Sequence, residues 1–320
     1  MREYYEKKAL NYSTLSALDS NNPGIVFRED EKKESTEAMN RGSLVDCLLT
    51  SLDEFNNRFI IVEELSVTDN VKQIISKLVD ANLDYTDANL LFVAKESNYG
   101  GNWKDETLLE KIKKNDSRKY FEEIKTETDK IKISQESYDK ALNVIEVLKN
   151  HEFTSWIFSQ DEGIEVKFQV PCYWRDKDLD CKALLDIVYI NHNTKTIIPI
   201  DLKVKSDSVY NFLKSFVRFR YYLQAVWYSR GLVMDFMKDY PGYNLEIFRF
   251  LVTSFEYPDP PLIYMCTNEI IDIGINGGII NDKKVKGVIQ LVDDYKWYIN
   301  NQHNYSRQTY ENKGVLNIIV

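Results

Sequence analysis

Ala183-Leu184-Leu185-Asp186-Ile187-Val188-Tyr189-Ile190, the polar turn Asn191–Lys195, and Thr196-Ile197-Ile198-Pro199-Ile200-Asp201-Leu202-Lys203-Val204-Lys205 decide how this chain is read. Two apolar, β-branched runs separated by turn residues read as paired strands. Each carries an aspartate, Asp186 inside the first and Asp201 near the end of the second. Side chains alternate along a strand, so Lys203 shares a face with Asp201. Two carboxylates and a lysine at strand ends are the parts needed for metal-dependent phosphodiester cleavage. Carboxylates are hard oxygen ligands for Mg²⁺, a bound ion polarises phosphate and acidifies water, and a lysine steers the nucleophile or offsets developing charge.

The Asp-x-Lys triplet is weak evidence alone, because this composition yields about five acid-x-Lys triplets by chance. Glu165-Val166-Lys167 and Asp180-Cys181-Lys182 compete with it. Asp201 is favoured because it follows a β-branched run and precedes a helix-like segment. That places it at a strand's carboxyl end, where open α/β sheets bind ligands. Pro199 lacks a ladder donor and suggests an edge strand or a bulge. Asp186, set among Leu184, Leu185, Ile187 and Val188, is costly to bury without a partner. A strand-edge salt bridge between Asp186 and Lys203 is the plain structural alternative.

These residues resemble the PD-(D/E)XK nuclease superfamily, with Asp186 as the first acid and Asp201-Leu202-Lys203 as the D-x-K element. Its RecB-like branch carries Q-x-x-x-Y on the following helix, and Gln224-Ala225-Val226-Trp227-Tyr228 matches it. Gln224 and Tyr228 are four residues apart and share a helical face. That branch also has an upstream helix with a glycine and, four residues on, a histidine metal ligand. Here Arg41-Gly42-Ser43-Leu44-Val45-Asp46 puts Asp46 in the histidine's place. Asn11-Tyr12-Ser13-Thr14-Leu15-Ser16 followed by Asn22-Pro23 resembles the start of RecE-like exonuclease domains of phages and prophages.

The resemblance implies an α/β fold with a restriction-endonuclease-like core, a mixed central sheet flanked by helices, and a helical N-terminal half. It implies catalytic Asp186, Asp201 and Lys203, with Mg²⁺, or Mn²⁺ as a substitute, held by Asp46, Asp186, Asp201 and the carbonyl of Leu202. Gln224 and Tyr228 would orient the substrate strand or the lysine. Glu165 is a candidate further acid, with an exposed strand carboxylate as the alternative. The implied activity is a DNA exonuclease acting on duplex ends, with a single-strand annealing protein as partner and a ring-shaped homo-oligomer around DNA. A structure-specific endonuclease on the same fold and a non-catalytic nucleic-acid-binding protein derived from it are the other readings.

Bulk properties set limits. The 320 residues carry a formal charge of −9, which argues against coating nucleic acid with the whole surface. A local cluster remains: Lys203, Lys205, Lys214, Arg218, Arg220 and Arg230 face only Asp201 and Asp207 over residues 201–230. Read as one helix over 206–232, this segment places Lys214 and Arg220 on either side of the Gln224–Tyr228 face, and Lys205 at the strand end. These are the expected DNA contacts, against the alternative of a solvated helix face. Cys47, Cys172, Cys181 and Cys266 lack zinc spacing and the late trio of an iron–sulfur nuclease, so neither zinc nor an iron–sulfur cluster is expected. His192 reads as a turn residue. No apolar run reaches the roughly 18 residues needed to span a membrane, so a cytoplasmic protein is expected; the resemblance implies a phage or prophage origin.

Periodicity predicts helices near Thr36–Leu49, Val71–Leu83, Thr107–Lys114, Ser137–Leu148 and Lys286–Ile299. Strands are predicted at Ile164–Cys172, Ala183–Ile190, Thr196–Val204, Phe248–Ser254 and Leu262–Cys266. The whole chain is read as one nuclease domain, with 66–150 a helical insertion. Gly42 inside a helix costs up to ~1 kcal/mol, which close packing, substrate approach or simple tolerance would explain.

Overall fold

The computed structural model describes residues 2–19, 36–63, 65–126, 129–176, 178–301 and 306–315. Asn22-Pro23 and most of the tail Val315–Val320 lie outside them. The chain divides into two compact units, Met1–Asp53 with Lys140–Val320, and Glu54–Asp139.

The larger unit begins with α1 (Arg2–Glu6), α2 (Tyr12–Asp19) and α3 (Glu37–Thr50). Thr36 starts α3 as its N-cap, with the hydroxyl accepting from the Met39 amide. Leu44, Val45 and Leu48 bury one face of the helix. A Cβ on Gly42 would meet nothing within 4 Å among the described residues, so close packing does not explain this glycine.

The smaller unit contains α4 (Phe55–Arg58), β1 (Phe59–Val62), α5 (Asp69–Asp80), α6 (Asp87–Glu96), α7 (Asp105–Lys113), α8 (Ser117–Lys125) and β2 (Ile131–Ser134). Val71, Ile74, Ile75 and Leu78 recur at helical spacing on α5 and pack with Leu90, Val93, Leu108, Ile112 and Phe121. The predicted insertion overlaps this unit, but α6, α8 and the parallel β1–β2 pair were not in the periodicity. Four-residue strands that meet only in space leave no local signal.

After α9 (Gln135–Asn150) come β3 (Ile164–Asp176), β4 (Leu179–Asn191) and β5 (Thr196–Lys205). Then follow α10 (Phe212–Arg218), α11 (Tyr221–Met234), β6 (Asn244–Leu245), β7 (Arg249–Ser254) and β8 (Leu262–Met265). The chain continues through α12 (Asn268–Asn276), β9 (Gly278–Ile280), β10 (Lys283–Val285), α13 (Val288–Asn301) and α14 (Arg307–Glu311). The architecture is mixed α/β, with a six-stranded sheet ordered β3-β4-β5-β7-β8 and β6 beside β5. β3, β4 and β5 form an antiparallel meander, whereas β5 pairs with β7 in parallel. The parallel step requires a crossover, which α10 and α11 supply.

Two sequence expectations are corrected. Pro199 lies in the central strand β5, paired with Val188, and not on an edge or bulge. On the other side of β5, β6 pairs at Thr196 and Ile197 and β7 pairs from Ile200 onward. Pro199 therefore falls in the gap between two partners, where no parallel ladder bond is needed. Residues 206–232 are not one helix: Arg220 takes a left-handed backbone (φ 58°) between α10 and α11. The break redirects the chain, so a single helical wheel cannot place Lys214 and Arg220 around Gln224.

α11 is pinned from several sides. A Cβ on Gly231 would lie 3.0–3.3 Å from Trp174, Cys172 and Ala183, and one on Gly274 of α12 only 2.6 Å from Val226 and 2.7 Å from the Tyr222 carbonyl. Trp227 Nε1 donates to the Lys182 carbonyl of β4 at 3.0 Å. These contacts fix the helix that carries Gln224 against the sheet.

Strand alternation changes phase at one place. The β4 residues in the larger core are Leu179, Cys181, Ala183 and Leu185 before Asp186, but Val188 and Ile190 after it. The pairing of β3 with β4 skips the opposed residues Gln169 and Asp186 while keeping its register on both sides. Gln169 has φ 49°. Both strands thus kink together at this row.

Candidate active site

The β4–β5 ladder ends at Ile187↔Ile200, so Asp186 and Asp201 are the next opposed residues. There the Asp186 side chain replaces the ladder: its Oδ2 accepts from the Leu202 amide at 2.9 Å. The carboxyl groups of Asp186 and Asp201 lie within hydrogen-bonding reach of each other. Asp201 is buried, and its Oδ1 accepts from Gln224 Nε2 at 2.6 Å. Its Oδ2 forms an ion pair with Lys203. The lysine's Nζ rests 4.5 Å above the centre of the Tyr221 ring, a cation–π contact.

Electrostatics follow from this crowding. Burial raises the Asp186 pKa well above the ordinary carboxylate value, and the charges of Asp201 and Asp46 raise it further, against Lys203 and the Leu202 amide. Burial also raises the Asp201 pKa, opposed by Lys203, Asp186 and Gln224. Burial works against the Lys203 cation, but Asp201, Tyr221 and Asp186 outweigh it and hold the ammonium protonated. The Tyr228 phenol is kept neutral by burial and by the two aspartates. Its ring meets Tyr12 edge-on at 6.2 Å between centroids.

Asp46 approaches this region from α3. Its Oδ1 accepts from Gln169 Nε2 at 2.8 Å, while its charge is felt at Asp186. Among the described residues, no three His, Cys, Asp or Glu side chains are gathered closely enough to hold a metal ion. The convergence is of two carboxylates, with Asp46 adjoining.

The remaining candidates sit as follows. Lys205 Nζ donates to Ser215 Oγ at 2.7 Å and pairs with Asp207 at 2.9 Å, tying β5 to α10. Lys214 is exposed on α10, with no salt bridge among the described residues. Arg220 pairs with Asp19, joining the break before α11 to the end of α2. Glu165 lies four residues along β3 from Gln169 and bonds Lys167 at 2.8 Å and His192 at 3.2 Å. At about 3.3 Å per residue it is roughly 13 Å along the strand from the row that holds Asp186. The competing Glu165–Lys167 triplet is therefore a surface ion pair. In the other, Lys182 Nζ donates to the carbonyls of Tyr4 and Lys7 at 2.8 and 2.7 Å.

Gln169 escaped the sequence reading. It falls inside the predicted strand Ile164–Cys172, and nothing in a strand pattern marks a left-handed residue. Tyr12 and Tyr221 were also missed as neighbours of Lys203, whose charge acts on both phenols.

No family model matches the chain, and no curated protein does. Among solved structures, the chain is similar to a crystal structure named "Putative exonuclease" from Eubacterium rectale, at 14% identity and a TM-score of 0.42, over 100% of this chain and 94% of that one.

Proposed function

We propose that this chain is a metal-dependent nuclease of the PD-(D/E)XK type, acting on DNA. The observation that carries the reading is the convergence of Asp186 and Asp201 where the β4–β5 ladder ends, with Lys203 and Gln224 both on Asp201. The donor set fits Mg²⁺, which takes hard oxygen ligands and is commonly held by one or two carboxylates together with substrate phosphates and water. Burial raises the pKa of both carboxyls, and the Asp201 charge raises that of Asp186 further; a dication would stabilise such groups as anions.

Asp186 and Asp201 would hold the ion. A residue's N–H and C=O point to the same edge of a strand, so the Leu202 carbonyl faces Asp186 and is a candidate further ligand. A bound divalent ion supplies Lewis acidity and an acidified water. Lys203, held protonated between Asp201 and Tyr221, positions the attacking water and offsets charge developing on the phosphate. Gln224 fixes the Asp201 rotamer. Tyr228, neutral beside it, donates a hydrogen bond. Lys214, exposed on α10, would contact a phosphate. Lys205 and Arg220 serve first as ties that hold β5, α10 and α11 in place.

The motif resemblance carries the finer reading: an exonuclease working from duplex ends in phage-type recombination, with an annealing protein as partner and a ring-shaped oligomer. Linear and closed circular duplex DNA, each incubated with Mg²⁺, Mn²⁺ or EDTA, test it. Metal-dependent loss of linear DNA alone is expected. Cleavage of both forms would make it an endonuclease, and cleavage of neither would leave a binding protein that lost activity.

A further inference from the structure

Gln169 holds a left-handed backbone in the interior of β3. For a residue other than glycine, sparsely populated conformations of this kind cost about 1–3 kcal/mol and persist only where the surroundings over-determine them. Strand interiors offer no turn to require it. The reason lies in the side chain. Gln169 is opposed to Asp186, the one pair skipped between Ile164 and Asp176 in the ladder with β4. From there its Nε2 donates to Asp46 Oδ1 at 2.8 Å across 123 residues of sequence. Asp186 is in turn opposed to Asp201, so Gln169, Asp186 and Asp201 lie abreast on three neighbouring strands. Two glutamine amides therefore flank the acids: Gln224 on Asp201 and Gln169 on Asp46.

We propose that Gln169 is a positioning residue for the cation site: its amide holds the Asp46 carboxylate toward Asp186 and Asp201, so that a helix residue joins the two strand acids when a divalent ion binds. This rests on the metal-site reading above. Groups that orient a ligand from behind shift metal affinity when removed, typically 10–100-fold. The action of Asp46's charge on Asp186 fits a carboxylate held toward the pair.

Mn²⁺ binding, measured by calorimetry and electron paramagnetic resonance, tests the proposal on the full chain and on Gln169→Leu, Gln169→Gly and Asp186→Asn. Leucine keeps the backbone burden and removes the donor, whereas glycine relieves the backbone and also removes the donor. Both variants should bind Mn²⁺ about 10–100-fold more weakly. Neither variant's melting temperature without divalent ions should fall, and the Mg²⁺ concentration needed for half-maximal cleavage should rise by a similar factor. Wild-type affinity in either variant would overturn the proposal. Tighter binding would overturn it too, since the amide would then divert Asp46 from the ion. So would a parallel loss of melting temperature and affinity in both variants, which marks a purely structural role. If the unaltered chain binds no Mn²⁺, or Asp186→Asn binds it as well as the unaltered chain, the cation-site reading itself fails.

Discussion

The smaller unit and the row Gln169–Asp186–Asp201 are built by opposite rules. In Glu54–Asp139, apolar residues recur at helical spacing and bury themselves against one another: Ile74, Ile75, Leu78, Leu90 and Ile112 are almost fully enclosed. Charged side chains stay outside in exposed pairs such as Lys95–Asp105. In the row, two carboxylates and a lysine lie close together beneath Tyr221 and Gln224, one residue takes a left-handed backbone, and a ladder is interrupted. The first arrangement gathers apolar side chains and leaves charge in water. The second is held by its surroundings, and buried acids that repel each other are natural places for function.

Substitutions sharpen this contrast. The largest effect falls on the row: Asp201→Asn should reduce Mg²⁺-dependent DNA cleavage by more than about 10³-fold, since several kcal/mol of charge stabilisation go with the ligand. The fold should survive, because asparagine is isosteric and Asp186 still offsets the Lys203 charge. In EDTA, the raised pKa of Asp186 stabilises the folded chain fully below the ordinary carboxylate value near pH 4. That contribution is lost as pH rises through the folded pKa. Asp186→Asn should therefore flatten the fall in melting temperature between acid and neutral pH. A steeper fall would show that the carboxyl is better paired than its neighbours suggest.

In the smaller unit the sign reverses. Leu78→Ala opens a cavity in a conventional core and should cost about 2–5 kcal/mol in denaturant unfolding. Glycines give a smaller contrast. Gly274→Ala drives a methyl into Val226 and the Tyr222 carbonyl and should cost about 1–3 kcal/mol. Gly42→Ala has room within 4 Å among the described residues and should stabilise α3 by up to ~1 kcal/mol. If Gly42→Ala stabilises the fold but weakens DNA binding, the open surface one turn before Asp46 serves the substrate. The smallest effect is at the exposed cation: Lys214→Glu should lower the log–log salt slope of DNA binding by roughly 0.9 for each phosphate left without its cation.

Much of the sheet was legible. The β-branched runs and turn residues located β3, β4 and β5, and the D-x-K spacing put Asp201 and Lys203 on one face. Apolar periodicity located α3. Three things were not legible, each because it depends on non-local contacts. The phase change at Asp186 arises where two strands kink together, and alternation read along one strand cannot show it. The break at Arg220 is held by a pair with Asp19, some two hundred residues away. Gln169 reads as an ordinary outward-facing strand residue until Asp46, on a distant helix, is set beside it.

Crystals soaked in Mn²⁺ test the central claim most directly. The account predicts an anomalous difference peak between the carboxylates of Asp186 and Asp201 that disappears in Asp201→Asn crystals. A peak elsewhere that survives the substitution, with none between these two carboxylates, would contradict it.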